Sequence, residues 1–310
     1  MDMNKWIEDV LAAEKKKALP VLSFPAVQKM GITVKELIDS SDKQAEAFGS
    51  KTVVTDDEVP TVVGAVIDED TDPDDIFVPE VGAGRTGLYI DAIKKVAPQI
   101  TDRPIFAGVI GPFSLSGRLM DVNEIMILCY EEPELVHAVL DKTTGFITEY
   151  AKAFKEAGAN GVVMAEPLAG LLPPDLVAEF STQYVKRIVD AIQDDEFIVV
   201  YHNCGSSVVK AAEAVVDTGA RAFHFGNAID MADIMPLIPS DRIVMGNVDP
   251  AGEIRFGTPE SIREKTFEVM GKCCKYPNFV ISTGCDVPPM SPWENIDAFF
   301  AAVDEFYAQQ

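Results

Sequence analysis

The chain has 310 residues, of which 47% are apolar, enough to bury the core of one large α/β domain or of two small ones. Its 50 acidic residues outnumber its 26 Lys and Arg residues, which gives a formal net charge of −24 and a pI near 4.4. Such a charge repels phosphate backbones and anionic membranes, so we expect neither nucleic acid nor a membrane as a partner.

Residues 1–17 carry four acidic side chains and lack the basic and apolar regions of a signal peptide. No stretch of the sequence approaches 18 uninterrupted apolar residues, the length that a membrane span requires. We therefore expect a soluble cytoplasmic protein. In that compartment its five Cys residues are thiols, available for packing, metal binding or catalysis.

From about residue 100 onward, apolar runs of strand length alternate with longer segments of helical periodicity. The predicted strands are, in chain order, Pro20–Phe24, Ile105–Ile110, Gly161–Ala165, Phe197–Tyr201, Ala222–Phe225, Arg242–Met245 and Phe279–Ser282. The predicted helices between them include Pro133–Ala157, Pro174–Gln193, Ser207–Thr218 and Pro259–Lys275. Several of these begin with Pro or a hydroxyl residue, which suits a helix N-terminus.

Seven strand signals separated by helices predict an α/β fold, a (β/α)8 TIM barrel with an N-terminal helical extension. We expect a single domain over residues 1–310, in which residues 1–100 form the N-terminal helices, the first strand and an acidic loop. The acidic loop is Asp56–Asp75, where Asp and Glu cluster around two prolines. A doubly wound sheet is the alternative, but no Gly-x-Gly-x-x-Gly follows a first strand, and Gly82-Ala83-Gly84 lies in a loop.

In a barrel the catalytic groups follow the carboxyl ends of the strands, and these positions are polar here. His202 and Cys204 are two residues apart, so in an extended chain their side chains lie on one side, about 6 to 7 Å apart along the backbone. Cys285 follows a later strand at the equivalent end. One nitrogen and two sulfurs suit Zn²⁺, and three protein ligands leave the fourth position open for a substrate. Taken singly, each of these residues is also compatible with simple packing, but their joint placement favours a zinc site.

The charge of this ligand set points to a reaction. Two thiolates cancel the charge of Zn²⁺, which makes the ion a poor Lewis acid for hydrolysis but still able to deprotonate a bound thiol. Water-activating zinc sites more often use His and carboxylate ligands. The sequence therefore favours activation of a thiol nucleophile over hydrolysis.

Four further residues are candidates at the same face. Glu166 and Asp249 are predicted to be catalytic, with Glu166 serving as a partner of His202 or as a displaceable fourth ligand. Asn227 and Asn247 are predicted to bind a cofactor. The alternatives are a solvated carboxylate for Glu166 and turn formation for the other three. Packing roles are expected for Cys129, Cys273, Cys274, His137 and His224, with His224 kept in reserve because it lies near a strand end.

The sequence resembles the uroporphyrinogen decarboxylase superfamily and, within it, the zinc-dependent methylcobamide:coenzyme M methyltransferases. The resemblance covers nearly the whole chain and rests on Gly111-Pro-Phe-Ser-Leu-Ser-Gly117, Ala157-Gly-Ala159, Ala165-Glu-Pro167, His202-Asn-Cys204-Gly205, Gly246-Asn-Val-Asp-Pro250, Gly257-Thr-Pro-Glu260 and Ser282-Thr-Gly-Cys285. It implies a (β/α)8 barrel, zinc on His202, Cys204 and Cys285, and transfer of a methyl group from a methylated corrinoid such as methylcobalamin to a zinc-bound thiolate.

The resemblance also implies partners. These are a small-molecule thiol such as coenzyme M and a corrinoid carrier protein that docks over the barrel mouth. Arg85, Arg118 and Arg255 are unranked candidates for binding the sulfonate of coenzyme M. The decarboxylase branch carries an Arg-rich N-terminal motif, and nothing of that type follows Pro20–Phe24.

Two other functions remain open at this point. One is the reverse use of the same chemistry, in which a methoxy-aromatic or methylamine substrate is demethylated to load the corrinoid. The other is a uroporphyrinogen decarboxylase-like binding protein that captures a thiol or a corrinoid without turnover.

Overall fold

Six apolar runs form the strands of one parallel sheet in a computed structural model that describes residues 1–48 and 65–309. The strands are β1 (Phe106–Ile110), β2 (Gly161–Ala165), β3 (Ile198–Asn203), β4 (Ala222–Phe225), β5 (Ile243–Val248) and β6 (Phe279–Thr283). They pair in sequence order from β1 to β6, and every neighbouring pair is parallel. Nearly all their residues are buried, as expected for strands covered on both faces.

Helices connect successive strands and also precede the sheet. The α-helices are α1 (Met3–Ala12), α2 (Ala26–Met30), α3 (Val34–Ile38), α4 (Ser41–Phe48), α5 (Thr86–Val96), α6 (Pro112–Met120), α7 (Val122–Glu131), α8 (Pro133–Glu156), α9 (Pro174–Val177), α10 (Gln183–Ile192), α11 (Ala212–Val216), α12 (Met231–Ile234), α13 (Pro259–Cys273) and α14 (Trp293–Ala308). Short 3-10 helices cover Pro73–Asp75, Leu168–Leu171 and Met235–Leu237, and π-helical turns cover Ala178–Thr182 and Pro250–Arg255. None of the described helices is long and apolar enough to cross a membrane.

The predicted α/β barrel class and its N-terminal helical extension are confirmed. Six of the predicted strands are present within the described residues, with ends shifted by up to three residues. The longest shift is in β5, which continues through Asn247 to Val248 because it keeps pairing with β6. The acidic loop, Asp56–Asp75, lies partly outside the described residues.

The prediction of a strand at Pro20–Phe24 is wrong, because this segment lies beside β6 without forming a ladder. Leu19 donates its main-chain N–H to the carbonyl of Ile281, at 3.0 Å. The next donors turn to side chains, Val21 N–H to Thr283 Oγ1 and Ser23 N–H to Asp286 Oδ1, at 3.1 and 2.9 Å. Pro20 has no N–H to offer. The segment is therefore anchored to β6 but does not become a strand.

The sheet has two apolar faces with different partners. One face packs on the surrounding helices in the largest apolar cluster, through side chains such as Val199, Phe223 and Ile281. The opposite face packs around Met3 and Ile7 of α1. Helix α1 lies at the amino ends of the strands, where the main-chain N–H of Met3 donates to the carbonyl of Asp195 at 2.7 Å. The α1 helix thus covers this end of the sheet and leaves the carboxyl ends for a site.

Candidate metal centre

A layer of polar side chains lies on the inner face of the sheet, at the carboxyl ends of four strands. Side chains alternate between the two faces of a strand, so His202 shares the face of Ile198 and Val200, which contact the α1 cluster. The same alternation places His224, Asn247 and Ser282 on this face. The register confirms their adjacency, since His202 pairs with His224 and Asn247 with Ser282. An apolar floor therefore supports a buried polar layer.

The three predicted metal ligands come together at the edge of this layer. His202 Nε2 lies 3.7 Å from Cys285 Sγ, and Cys204 interacts with the same thiol. His202 is buried, while both cysteines are partly exposed. The chain is closely packed here: a Cβ added at Gly226 would lie 2.5 Å from Cys204 Cβ. Glycine at position 226 thus allows the turn after β4 to approach Cys204.

This donor set fits zinc in its chemistry and in one of its spacings. Zn–N bonds of about 2.0 Å and Zn–S bonds of about 2.3 Å at a tetrahedral angle separate nitrogen from sulfur by about 3.5 Å. The 3.7 Å between His202 Nε2 and Cys285 Sγ is close to that value. Within residues 1–48 and 65–309, however, no group of three or more His, Cys, Asp or Glu side chains is arranged so that it could hold a metal ion. A zinc ion on all three ligands therefore requires a shift of at least one side chain.

The Cys285 thiol keeps its proton in this arrangement. Its interaction with Cys204 and its burial raise its pKa to about 12, and the nearby His202 ring only partly offsets them. A thiol with such a pKa is a poor nucleophile at neutral pH by itself. Metal binding at this thiol would therefore require the loss of its proton.

His202 is held from its other side by a buried chain of hydrogen bonds. Its Nδ1 lies 2.7 Å from Nδ1 of His224 and 3.2 Å from the His224 carbonyl oxygen. His224 Nε2 lies 2.9 Å from Ser282 Oγ, and the Ser282 hydroxyl donates to the Leu19 carbonyl at 2.8 Å. Burial and the neighbouring His202 ring hold the pKa of His224 well below its usual range. Both imidazoles are thus fixed in the polar layer.

The carboxylate of Glu166 turns away from this centre. It accepts main-chain N–H groups of Phe113 at 3.2 Å and Ser114 at 2.6 Å, at the amino end of α6. Glu166 meets His202 through the backbone, its N–H donating to the His202 carbonyl at 2.9 Å. Burial raises the pKa of Glu166 to about 7, although the hydrogen bonds with Ser114 and Phe113 lower it. The hydrogen bonds of this carboxylate thus go to α6, and its role toward His202 stays a prediction.

The remaining predicted residues, Asn227, Asn247 and Asp249, lie at the same end of the sheet. Asn247 Nδ2 donates to the carbonyls of Gly226 and Ile229, at 3.0 and 2.8 Å. Asp249 Oδ1 accepts the N–H groups of Ala251 and Gly252, each at 2.9 Å, and so caps the turn Pro250–Arg255. Asn227 is exposed beside Gly284. Their roles toward a cofactor stay predictions.

Sequence reasoning misses Ser282 and assigns His224 to packing, keeping it only in reserve. A lone His between two Phe residues in a buried strand reads as core packing. The signal that identifies them is their position: in each strand they occupy the inner-face site above the last apolar inner residue. That inference needs the strand register, which the sequence alone does not supply.

Comparison with known proteins places this chain in a family. The model of the uroporphyrinogen decarboxylase (URO-D) family matches residues 43–306, and the chain therefore belongs to the URO-D family. The predicted family resemblance is confirmed at this level.

Relatives with two different names share this family. The Methanosarcina acetivorans protein named methylcobamide:CoM methyltransferase MtbA is 28% identical over 301 residues, which cover 94% of this chain and 84% of the relative. A protein of Prochlorococcus marinus strain MIT 9211, named uroporphyrinogen decarboxylase, is 28% identical over 231 residues, covering 71% and 64% respectively. A solved structure described as a methyltransferase from Methanosarcina mazei superposes with a TM-score of 0.84 at 23% identity, covering 99% of both chains, so the fold is shared.

Proposed function

We propose that this chain is a zinc-dependent methyltransferase that moves a methyl group from a methylated corrinoid to a small thiol, of which coenzyme M is the leading candidate. One observation carries the proposal. His202 Nε2 and Cys285 Sγ lie 3.7 Å apart at the carboxyl ends of the strands, and Cys204 interacts with the same Cys285 thiol. The name of the M. acetivorans relative supports the choice of donor and acceptor.

The residues divide the work in a simple way. When bound by His202, Cys204 and Cys285, zinc lowers the pKa of an incoming thiol and leaves its sulfur electron-rich. The protons of Cys204 and Cys285 leave when the metal binds. In the transfer, the acceptor sulfur forms a bond to the methyl carbon while the cobalt–carbon bond breaks and leaves its electron pair on the corrinoid. The thiol proton is released to solvent, so charge and electrons balance.

The direction of approach follows from the fold. Helix α1 covers the amino ends of the strands through Met3 and Ile7, so we infer that a corrinoid approaches the metal from the carboxyl ends. Exposed Asn227 and the buried amide of Asn247 lie at that end and remain our candidates for corrinoid contacts, and Asp249 and Glu166 for catalysis. We infer that a corrinoid carrier protein docks at this mouth.

A second candidate is decarboxylation of a porphyrinogen, which the name of the Prochlorococcus relative favours. The two readings differ in what they require of the cysteines. Methyl transfer to a zinc-bound thiol, as proposed, needs both sulfurs as ligands, whereas decarboxylation of a porphyrinogen involves no thiol that zinc would activate. The state of the cysteines therefore decides between them.

The test is anaerobic methyl transfer from methylcobalamin to a panel of thiols that includes coenzyme M, followed by the absorbance of cob(I)alamin. We expect the wild-type protein to carry about one zinc and to transfer the methyl group. Cys285→Ala should lose both zinc and transfer, and Cys274→Ala, a partly buried cysteine packed near Tyr307 on the outer face, should keep both. Full transfer by Cys285→Ala contradicts the zinc–thiol mechanism.

A further inference from the structure

The buried ring of His224 is not one of the proposed zinc ligands, but it packs against one of them, His202. His224 is 2% exposed and Ser282 is fully buried, so their hydrogen bonds are shielded from water. The His224 and His202 Nδ1 atoms are 2.7 Å apart, and His224 Nε2 is 2.9 Å from Ser282 Oγ. Buried polar groups in such a chain must each find a partner of the opposite kind.

The direction of these hydrogen bonds follows from the Leu19 carbonyl, at which the row of hydrogen bonds ends. The Ser282 hydroxyl donates its single hydrogen to the carbonyl of Leu19, which can only accept. Toward His224, Ser282 Oγ is therefore an acceptor, and His224 Nε2 carries a hydrogen. In a neutral imidazole the other nitrogen is then a lone pair, so His224 Nδ1 accepts.

The same reasoning applies to His202. Its Nδ1 faces two acceptors, the lone pair of His224 Nδ1 at 2.7 Å and the carbonyl oxygen of His224 at 3.2 Å. His202 Nδ1 therefore carries the hydrogen, and the lone pair is on Nε2, the atom that faces Cys285 Sγ at 3.7 Å. A metal ion is bound by the lone pair of an imidazole nitrogen.

We propose that His224 is a positioning residue which, oriented by Ser282 and the Leu19 carbonyl, holds His202 in the tautomer whose Nε2 lone pair faces the two cysteines. This inference rests on the proposed zinc centre. It extends that centre by a second histidine, a serine and the segment that lies along β6.

The tautomers are measured directly by ¹⁵N NMR of the metal-free protein labelled at histidine. The chain has three histidines, so the ring signals are assigned with one variant of each of two of them, His137→Asn and His224→Asn. We expect His202 to be protonated at Nδ1 and His224 at Nε2. A His202 ring protonated at Nε2 in the wild-type protein overturns the proposal.

The second measurement is the zinc affinity of each protein, determined by competition with a chelator. His224→Leu removes the closer acceptor and should weaken zinc binding by about 10- to 100-fold. His224→Asn offers an amide oxygen near the position of Nδ1 and should stay within a few-fold of wild type. His137→Asn, at a partly buried ring hydrogen-bonded to Tyr184, is the matched control and should not change the affinity.

The outcomes separate this inference from the proposed function. A wild-type protein that binds no zinc contradicts the proposed function itself. Wild-type zinc binding that is lost in His202→Ala but unchanged in His224→Leu keeps the zinc centre and overturns the role of His224. Equal weakening in His224→Leu and His224→Asn also overturns it, because packing alone then accounts for the effect.

Discussion

Glu166 has the most unusual environment of any carboxylate among the described residues: it is fully buried, and its oxygens accept N–H groups at the amino end of α6. Gly111 makes this position possible, because a Cβ there would lie 2.2 Å from Glu166 Oε2. The positive end of a helix and two N–H donors favour the charged carboxylate, while burial opposes it. Burial dominates, and the pKa of Glu166 is raised to about 7.

This raised pKa predicts a stability profile. Between pH 4.5 and about 7 the unfolded chain loses the Glu166 proton while the folded chain keeps it, so the free energy of unfolding falls as the pH rises. The loss from this group is up to about 3 kcal/mol and is complete above pH 7. Glu166→Gln cannot titrate and should lack this component.

Urea unfolding of both proteins at pH 5 and pH 8 measures the effect. The stability of Glu166→Gln relative to wild type should be higher at pH 8 than at pH 5. A difference between the two proteins that does not change with pH would show that the Glu166 carboxylate titrates normally.

At the same scale, the proximity of the three proposed metal ligands is the part of the site that the sequence predicts best. His202, Cys204 and Cys285 each follow or end an apolar run, so their common position needs only the barrel rule. The direction of a side chain is harder to predict. Glu166 lies at the predicted mouth, but its carboxylate turns to α6, and the role of His224 depends on its register with His202.

At the scale of elements, α1 is the helix that closes the amino end of the sheet. Met3 and Ile7 pack among Ile198, Ile243 and other inner-face residues. A helix of ten residues has little stability in isolation, so this packing must hold it in place. Its sequence shows an amphipathic helix, but not that the barrel interior is its partner.

The packing of α1 predicts a large effect of truncation. Ile7→Ala should lower the free energy of unfolding by roughly 2 to 4 kcal/mol, because Ile7 is 3% exposed and leaves a cavity. Lys5→Ala on the same helix removes only an exposed ion pair with Asp9 and should leave the stability nearly unchanged. Equal effects of the two substitutions in urea unfolding would contradict the docking of α1.

The segment after α1 shows how an apolar sequence pattern can predict a strand that does not form. Residues 20–24 have the apolar character of a strand, and they do lie along β6. The N–H groups of Val21 and Ser23 bond to Thr283 Oγ1 and Asp286 Oδ1 in place of main-chain carbonyls. Such long-range side-chain partners, more than 260 residues away, are invisible to local periodicity.

At the scale of the whole molecule, the proposed metal connects distant parts of the chain. His202 lies near the carboxyl end of β3 and Cys285 follows β6, 83 residues later, with two strands between them in the sheet. A ligand that binds only the folded state stabilises it by mass action. Zinc is therefore expected to stabilise the entire domain, not only the mouth.

This expectation is measured by urea unfolding at increasing free zinc concentration. At 1,000 times Kd, zinc should raise the free energy of unfolding by about 4 kcal/mol. Cys285→Ala should lose this increase, and Cys274→Ala should retain it. An equal increase in all three proteins would place the bound zinc elsewhere.

The most direct test of the zinc–thiol centre is X-ray absorption at the zinc edge, on the wild-type protein before and after addition of coenzyme M. We predict two sulfur neighbours at about 2.3 Å and a nitrogen at about 2.0 Å, with the number of sulfur neighbours rising to three when the thiol is added. A zinc ion with only nitrogen and oxygen neighbours, or a sulfur count that the thiol does not change, would contradict the account.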